Sequence, residues 1–525
     1  MKINYSNHTQ VLADRFGDAE ALVNVERGRR YTFLQFHHLT NRVANMMKDR
    51  LALQRGDHYV CILKNDSLSL LHFPTIFKGA ATCAYCNYRD SPAEHIRQVE
   101  CIAPKVAFVE NDLLNSHYPM LRERGITVVC MDPVDEPREG LLYFWDLVDA
   151  ASERNPDIEI DDRDHIVLIR FTGGTTGKGK PAAYSVDNWL SAKDVLQYLP
   201  DCHWRRETRT LLMPPLSHGS ALLVLPTLYA GGCTVTMNDP DLVKYCELIE
   251  RERITMSQAV PTMLYRMLEL LDVNNVNISS LQTIIYGAAP ISPGKLKQLQ
   301  LRFGPIFVQI YGSTEHCTAA LVLDKTDHDL GRPGSEKRIG AAGRVVPGIE
   351  VRLVDMQGQP VGVGEVGELW LRSRSTIQGY YKEPEITAEE FENGCWKSGD
   401  LARRDEEGYV YIVDRRKDMI ISGGFNVYAV EVEAAICSLE DVKMAAVVGI
   451  PHDEWGESVH AEVVIRDGAS LSKEAIMQYV KEKLGSYKAP KSIEFVKELP
   501  LTPVGKLLRK EVREKYWLDH DRRIG

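Results

Sequence analysis

The sequence predicts an α/β protein with a large N-terminal domain of parallel α/β sheets, a β-rich subdomain, and a small α+β C-terminal domain. Three observations predict it. Residues 31–170 alternate helix-spaced and strand-like segments, as a parallel sheet with helices on its faces does. From about Gly340 short alternating runs stand between glycine turns, which reads as antiparallel sheet. After Asp414 a compact helix-and-strand pattern fills the rest of the chain, enough for an independent domain.

The elements follow in order. FLQFHHLTNRVANMMKDRLA has helical spacing, HYVCIL is a short buried strand, and LLHFPTIFKGAATCAYC passes from helix to strand. After residue 180 the alternation resumes, with CELIERERI as helix before the strands in MSQAV, LQTIIYGAAP and FGPIFVQIYGSTE. Loops beyond the C-terminal ends of such strands are where an α/β sheet binds ligands. VPGIEVRLVD, GEVGELWLRS and GYVYIVDRR supply the antiparallel strands. The C-terminal set is VEVEAAICSL as helix, MAAVVGI and HAEVVIRDG as strands, KEAIMQYVKEKL as helix and SIEFVKELP as strand. The charged run DRRKD marks the junction, so domains are expected at 1–413 and 418–525 with 414–417 as hinge. A solvated turn between strands is the plainer reading of the same run.

Composition narrows the function. The chain of 525 residues exceeds what one core usually supports, and its 44% hydrophobic and 26% charged content is that of a globular protein. A net charge of −10 argues against nucleic-acid binding, which calls for a basic stripe. MKINYSNHTQVLADRF lacks the apolar core of a signal peptide and DRRIG matches no common lipidation or retention signal, so a cytoplasmic location is expected. Residues 210–238 lack Lys, Arg, Asp and Glu, but three prolines, three glycines and His218 make them buried strand and helix around a pocket, not a membrane span. Eleven cysteines are scattered, and the single CxxC at Cys83 and Cys86 has no second pair, so burial is expected there instead of metal or redox chemistry.

Four motifs carry chemistry. FTGGTTGKGKPA, residues 171–182, follows the strand LIRF and comes within one residue of GxxxxGK[ST]. Pro181 stands where a hydroxyl would help hold Mg²⁺, and it disfavours helix at Lys180. The glycines still let backbone amides approach an anion, and the threonines with Lys178 or Lys180 add donors and charge. IYGSTEH brings an aromatic, a glycine, hydroxyls and a carboxylate into one loop, suited to base stacking, phosphate donation and Mg²⁺ ligation. WKSGDLARRDEEGYVYIVDRRKDMIISGGFN carries Asp400 and Arg415 and then a glycine pair, and LPLTPVGKLLRK carries Lys506. Taken singly, each reads equally as a polar turn or surface loop.

In this order and spacing the motifs resemble the adenylate-forming superfamily of acyl- and aryl-CoA synthetases, luciferases and peptide-synthetase adenylation domains, over almost the whole chain. Thr172, Gly173, Gly174, Thr175, Thr176, Gly177 and Lys180 are similar to its phosphate loop, TSGTTGxPKG, with Gly173 for serine, Gly179 for proline and Pro181 for glycine. The resemblance implies that Gly287, Ala288 and Ala289 line the adenine and acyl side, that Tyr311, beside Gly312, packs on adenine, and that Thr314 meets phosphate. It further implies that Glu315 binds Mg²⁺ and that Asp400 holds the ribose hydroxyls with help from Arg415. Lys506 matches the catalytic lysine that bridges the substrate carboxylate and the α-phosphate. The C-terminal domain would be mobile, with Lys417 at the hinge and Gly423 and Gly424 bordering a pantetheine tunnel.

The reaction so implied joins a carboxylic acid to ATP as acyl-AMP with loss of pyrophosphate, then passes the acyl group to a thiol with loss of AMP. ATP, Mg²⁺ and coenzyme A are the expected cofactors. LLMPPLSHGSALL resembles the family motif in which a histidine precedes the acyl pocket, which makes His218 a gate candidate. Gly219 stands where amino-acid-activating members place an aspartate, so an amino-acid substrate is disfavoured. A pocket near His218, Ser220, Tyr286, Gly287 and His316 is expected to be mostly apolar and to take an aryl or small-to-medium acyl acid. With no carrier-protein domain following, CoA is the default acceptor and a separate acyl-carrier protein the alternative. A monomer or homodimer is expected. A non-catalytic nucleotide-binding protein is less favoured because Glu315 and Lys506 are both present.

Overall fold

The computed structural model describes residues 4–156, 158, 165–172, 179–199, 201–273, 277–289, 291, 293–466, 468–501 and 507–517. Its strands form three sheets among these residues. In the first, Leu141–Tyr143, Thr127–Cys130, Val106–Val109, His58–Leu63, Thr82–Asn87 and Ile166–Phe171 run parallel in that spatial order. Pro181–Ser185 closes the edge antiparallel to Ile166–Phe171. Tyr59, Val60, Cys61 and Ile62 are all fully buried, as a strand covered by helices on both faces requires.

The second sheet has a parallel half in which Cys233–Thr236, Arg209–Leu212, Met256–Ala259, Thr283–Gly287 and Phe307–Gly312 lie side by side. At Phe307–Gly312 the direction reverses: Ala319–Leu323 pairs antiparallel, and Gly343–Val345, Tyr409–Arg415, Cys395–Arg404, Val366–Arg372 and Glu350–Val354 continue. The β-rich region is therefore hydrogen-bonded to the parallel sheet as one continuous surface. An N-terminal hairpin, Glu20–Asn24 with Arg29–Thr32, adds to the other edge beside Cys233–Thr236.

The helices start where side chains cap them. Thr32 and Gln35 make a reciprocal capping box for Phe33–Asn45, and Ser185 and Asn188 do the same for Val186–Gln197. The third sheet comprises Ile420–Ser422, Phe425–Val427, Val442–His452, Gly456–Ile465 and Ser492–Phe495, with Ala429–Cys437, Lys473–Leu484 and Arg509–Trp517 as helices. Asp414 and Arg415 still belong to the second sheet, where they face Leu401 and Asp400. No helix among the described residues is long and apolar enough to cross a membrane. All eleven cysteines are free, and Cys83 and Cys86 are fully buried.

Candidate active site

Ile166–Phe171 delivers the glycine-rich loop to the C-terminal edge of the first sheet, and two hydrogen bonds fix the loop's neck. Thr172 N–H donates to the Lys180 carbonyl at 2.9 Å, and Lys180 N–H to Thr172 Oγ1 at 3.2 Å. A Cβ on Gly179 would lie 2.7 Å from the Thr172 carbonyl oxygen, so the backbones approach too closely there for any side chain. The Gly179 carbonyl accepts from Arg97 Nη2 at 3.0 Å. Pro181 opens an edge strand, a position that tolerates its missing N–H. Gly173, Gly174, Thr175, Thr176 and Gly177 lie outside the described residues.

A relay of side chains runs from this neck to the second sheet. Lys180 Nζ pairs with Glu390 and stands 5.4 Å from the centre of the Tyr380 ring. The buried Tyr380 places its hydroxyl 2.5 Å from Glu390 Oε2 and 2.9 Å from Glu315 Oε1. Main-chain contacts hold it there: Tyr381 N–H donates to the Pro181 carbonyl at 2.8 Å, and Ala182 and Tyr380 form an isolated antiparallel bridge. Glu315 is 8% exposed, and burial pushes its carboxyl above the usual range. One phenol proton serves one carboxylate at a time, and since Lys180 already supplies Glu390, the Tyr380 hydroxyl is the side-chain donor that meets Glu315. A buried carboxylate so poorly supplied fits a hard cation as its partner.

The residues expected to meet the nucleotide lie beyond neighbouring strand ends. Thr283–Gly287 and Phe307–Gly312 are paired, Gly287 opposite Ile310. Ala288 follows, exposed and with φ +69°, and Ala289 is half-buried beside it. Tyr311 donates its hydroxyl to Asp400 Oδ2 at 2.5 Å, and Arg415 Nε lies 3.3 Å from Asp400 Oδ1. Asp400 and Arg415 are cross-strand partners, which makes neighbours of residues far apart in sequence. Gly312 is exposed after Tyr311, and Thr314 is half-buried with its carbonyl accepting from the Tyr184 hydroxyl at 2.7 Å.

A family model described as AMP-binding enzyme matches residues 9–381, and one described as AMP-binding enzyme C-terminal domain matches residues 431–506. The chain belongs to the AMP-binding enzyme family. It is 38% identical over 442 residues to the medium/long-chain-fatty-acid–CoA ligase FadD8 of Mycobacterium tuberculosis, covering 80% of this chain and 76% of that protein. It is 37% identical over 375 residues to a feruloyl-CoA synthase of an Amycolatopsis species, covering 70% and 73%. ATP-bound MatB from Rhodopseudomonas palustris superposes with a TM-score of 0.86 at 27% identity, covering 98% of this chain and 99% of that one.

On the acyl side of this AMP-binding enzyme the expected lining residues divide. His218 is half-buried, with Nε2 3.4 Å from Asn87 Nδ2 and Nδ1 3.1 Å from the Ser217 carbonyl. Ser220 is buried, and its hydroxyl is spent on the Pro214 and Pro215 carbonyls at 2.8 and 2.7 Å, where it closes a turn. Tyr286 and His316, expected to line the pocket, are both fully buried. The Tyr286 hydroxyl meets His328 Nε2 at 2.8 Å, and His316 Nδ1 meets Thr376 Oγ1 at 3.0 Å. A strand covered on both faces buries every side chain, so Tyr286 packs into the core and only the residues after Gly287 emerge.

In the C-terminal part of this AMP-binding enzyme, Gly423 and Gly424 form the two-residue loop between Ile420–Ser422 and Phe425–Val427, with φ +57° and +81°. Positive φ at both central positions is the type I′ hairpin, which by itself calls for glycine. Lys417 is exposed in the turn before that hairpin, and its carbonyl accepts from Arg513 Nη1 at 3.3 Å. Lys506 lies outside the described residues. Its described flanks are tied together: Leu501 and Leu507 bridge, and Leu508 N–H donates to the Pro500 carbonyl at 2.9 Å. Sequence reasoning missed Tyr380, Glu390 and Arg97. The aromatic pair after glycine in QGYYKEPE was the one readable sign of the first.

Proposed function

We propose that this AMP-binding enzyme is an ATP-dependent acid–CoA ligase. The observation that carries the proposal is a convergence at strand ends. The cluster of Tyr311, Asp400 and Arg415 lies on the sheet whose strands Phe307–Gly312 and Ala319–Leu323 are joined by the turn that carries Glu315, and Glu315 is joined through Tyr380 and Glu390 to Lys180 at the neck of the glycine-rich loop. Ribose hydroxyls suit the Asp400 carboxylate, a base suits Tyr311 and the exposed 287–289 turn, and phosphates suit the Thr172–Lys180 loop. Glu315 would hold Mg²⁺, which when bound neutralises charge on the phosphates.

A carboxylate oxygen attacks the α-phosphorus, a P–O bond forms, and the bond to pyrophosphate breaks. Lys506 supplies charge and orientation to that step. A thiol then attacks the acyl carbon of the adenylate and AMP leaves. For the second step residues 418–525 turn about 414–417 and bring the Gly423–Gly424 hairpin to the site. His218 gates the path between acyl group and thiol. The activities named for FadD8 and the feruloyl-CoA synthase support an acid with an apolar aryl or acyl body and CoA as acceptor. The ATP bound by MatB supports ATP as the activating nucleotide.

The test is pyrophosphate release over a panel of aryl and fatty acids, with and without CoA. The expected result is acid-dependent release with a CoA thioester as product. Acid-dependent release without thioester overturns the CoA reading in favour of a carrier-protein acceptor. Lys506→Ala should abolish adenylation and largely spare thioester formation from supplied acyl-AMP, and equal loss of both steps removes its role.

A further inference from the structure

We propose that the C-terminal part of the chain carries a divalent-cation site of the zinc class, built from His460, Glu462 and Glu494. Strand pairing assembles it. His460 and Glu462 are two residues apart on Gly456–Ile465 and so share one face of the sheet. Glu494 on Ser492–Phe495 is the cross-strand partner of Glu462, and Ser492 that of His460. One histidine nitrogen and two carboxylate oxygens lie within 4.8 Å of one another. Like charges directly opposite each other weaken a sheet, so the pair calls for a cation.

The histidine is an independent observation. His460 is 4% exposed, its Nδ1 lies 2.6 Å from Ser492 Oγ, and its buried Nε2 has no hydrogen-bond partner among the described residues. With Nδ1–H donating to Ser492, Nε2 keeps its lone pair, which is how an outer oxygen orients a metal-bound histidine.

The groups now meeting the carboxylates do not balance them. Lys515 Nζ lies 3.0 and 3.1 Å from the Glu462 oxygens, and the Tyr516 hydroxyl lies 3.1 Å from Glu462 and 3.0 Å from Glu494. One lysine offsets one of two carboxylates, and its side chain is half-exposed. Imidazole with two carboxylates suits Zn²⁺, whose bonds of about 2.0–2.2 Å set tetrahedral ligands about 3.3 Å apart. Rotation of the exposed Glu494 side chain closes the set and leaves a fourth position for water.

The test uses the untagged full chain, stripped with chelator and titrated with Co²⁺ and with Zn²⁺ without nucleotide. The wild type should take up one equivalent more than Glu494→Gln or His460→Ala, with a low-coordinate Co²⁺ absorption band that both variants lose. Zn²⁺ should raise the Tm of the wild type and leave that of Glu494→Gln in place. Ser492→Ala should weaken binding by roughly 10–100-fold. Because Glu494 is exposed, its variant keeps the test decisive should His460→Ala fail to fold. Equal stoichiometry and equal Tm response in wild type and Glu494→Gln overturn the proposal.

Discussion

Alanine at Gly179 tests whether the glycine-rich loop works through its neck. The added Cβ would sit 2.7 Å from the Thr172 carbonyl oxygen, 0.7 Å inside the 3.4 Å at which ordinary contact begins, and 3.3 Å from Phe171 Cβ. Neither neighbour is the tip of a flexible chain, so relief has to come from spreading Thr172 away from Lys180. Spreading weakens the two neck hydrogen bonds, each worth about 0.5–1.5 kcal/mol net. Tolerating the overlap instead costs about 1–3 kcal/mol. The cheaper route is therefore about 1–2 kcal/mol, a factor of roughly 5–30 in the population of the closed neck. Acid-dependent pyrophosphate release should lose that factor in kcat/KM for ATP. Thioester formation from supplied acyl-AMP and CoA should not change, because that half needs no triphosphate. Wild-type ATP kinetics in a folded Gly179→Ala protein would refute the role assigned to the neck, and equal loss in both halves would point to general damage.

Two further predictions come from the relay and from a buried lysine. Tyr380→Phe removes the donor that Glu315 and Glu390 share, so the Mg²⁺ concentration for half-maximal adenylation should rise by about 10–100-fold, the usual cost of losing an outer partner of a metal ligand. An unchanged Mg²⁺ dependence removes Tyr380 from metal positioning. Lys78 is fully buried, donates to Thr40 Oγ1 at 3.0 Å and to Asn41, and is pushed down to about 7 by burial. Against the ordinary 10.5, that penalises the charged folded form by about 5 kcal/mol below pH 7. Between pH 7 and 10.5 the unfolded chain holds the extra proton, so this lysine makes stability rise with pH. The neighbouring His37, pushed down to about 4, stays neutral throughout that window. Denaturant unfolding of wild type and Lys78→Met should therefore differ by an amount that shrinks as pH rises from 7 to 10.5, and a constant difference refutes the buried charge.

What was legible in the sequence follows the range of the interactions. Helix and strand periods are local, and the segments read as elements fold as such: HYVCIL is His58–Leu63, and KEAIMQYVKEKL is Lys473–Leu484. The pairing of Asp400 with Arg415 was reachable only because both sit in one recognisable motif on neighbouring strands. Lys180 and Glu390 are 210 residues apart, and no local pattern announces their contact. The docking of Glu20–Asn24 beside Cys233–Thr236 is hidden for the same reason. A motif gives proximity to a site but not the direction of a side chain: Tyr286, on a strand covered on both faces, and His316, in the turn after Phe307–Gly312, are both fully buried.

The same distinction accounts for Gly179-Lys180-Pro181, where the family pattern runs proline, lysine, glycine. The lysine keeps its place, and the structure gives it a carboxylate partner in Glu390. Glycine stands before it because the Thr172 carbonyl leaves no space for a Cβ. Proline stands after it because the residue opens an edge strand while its carbonyl still holds Tyr381, which brings Tyr380 against the lysine. Exchanging the two outer residues would set a ring against the Thr172 carbonyl while restoring an N–H at the strand start. The altered order is thus one solution in which neck, strand start and relay depend on one another, and Gly179→Ala disturbs it at its tightest point.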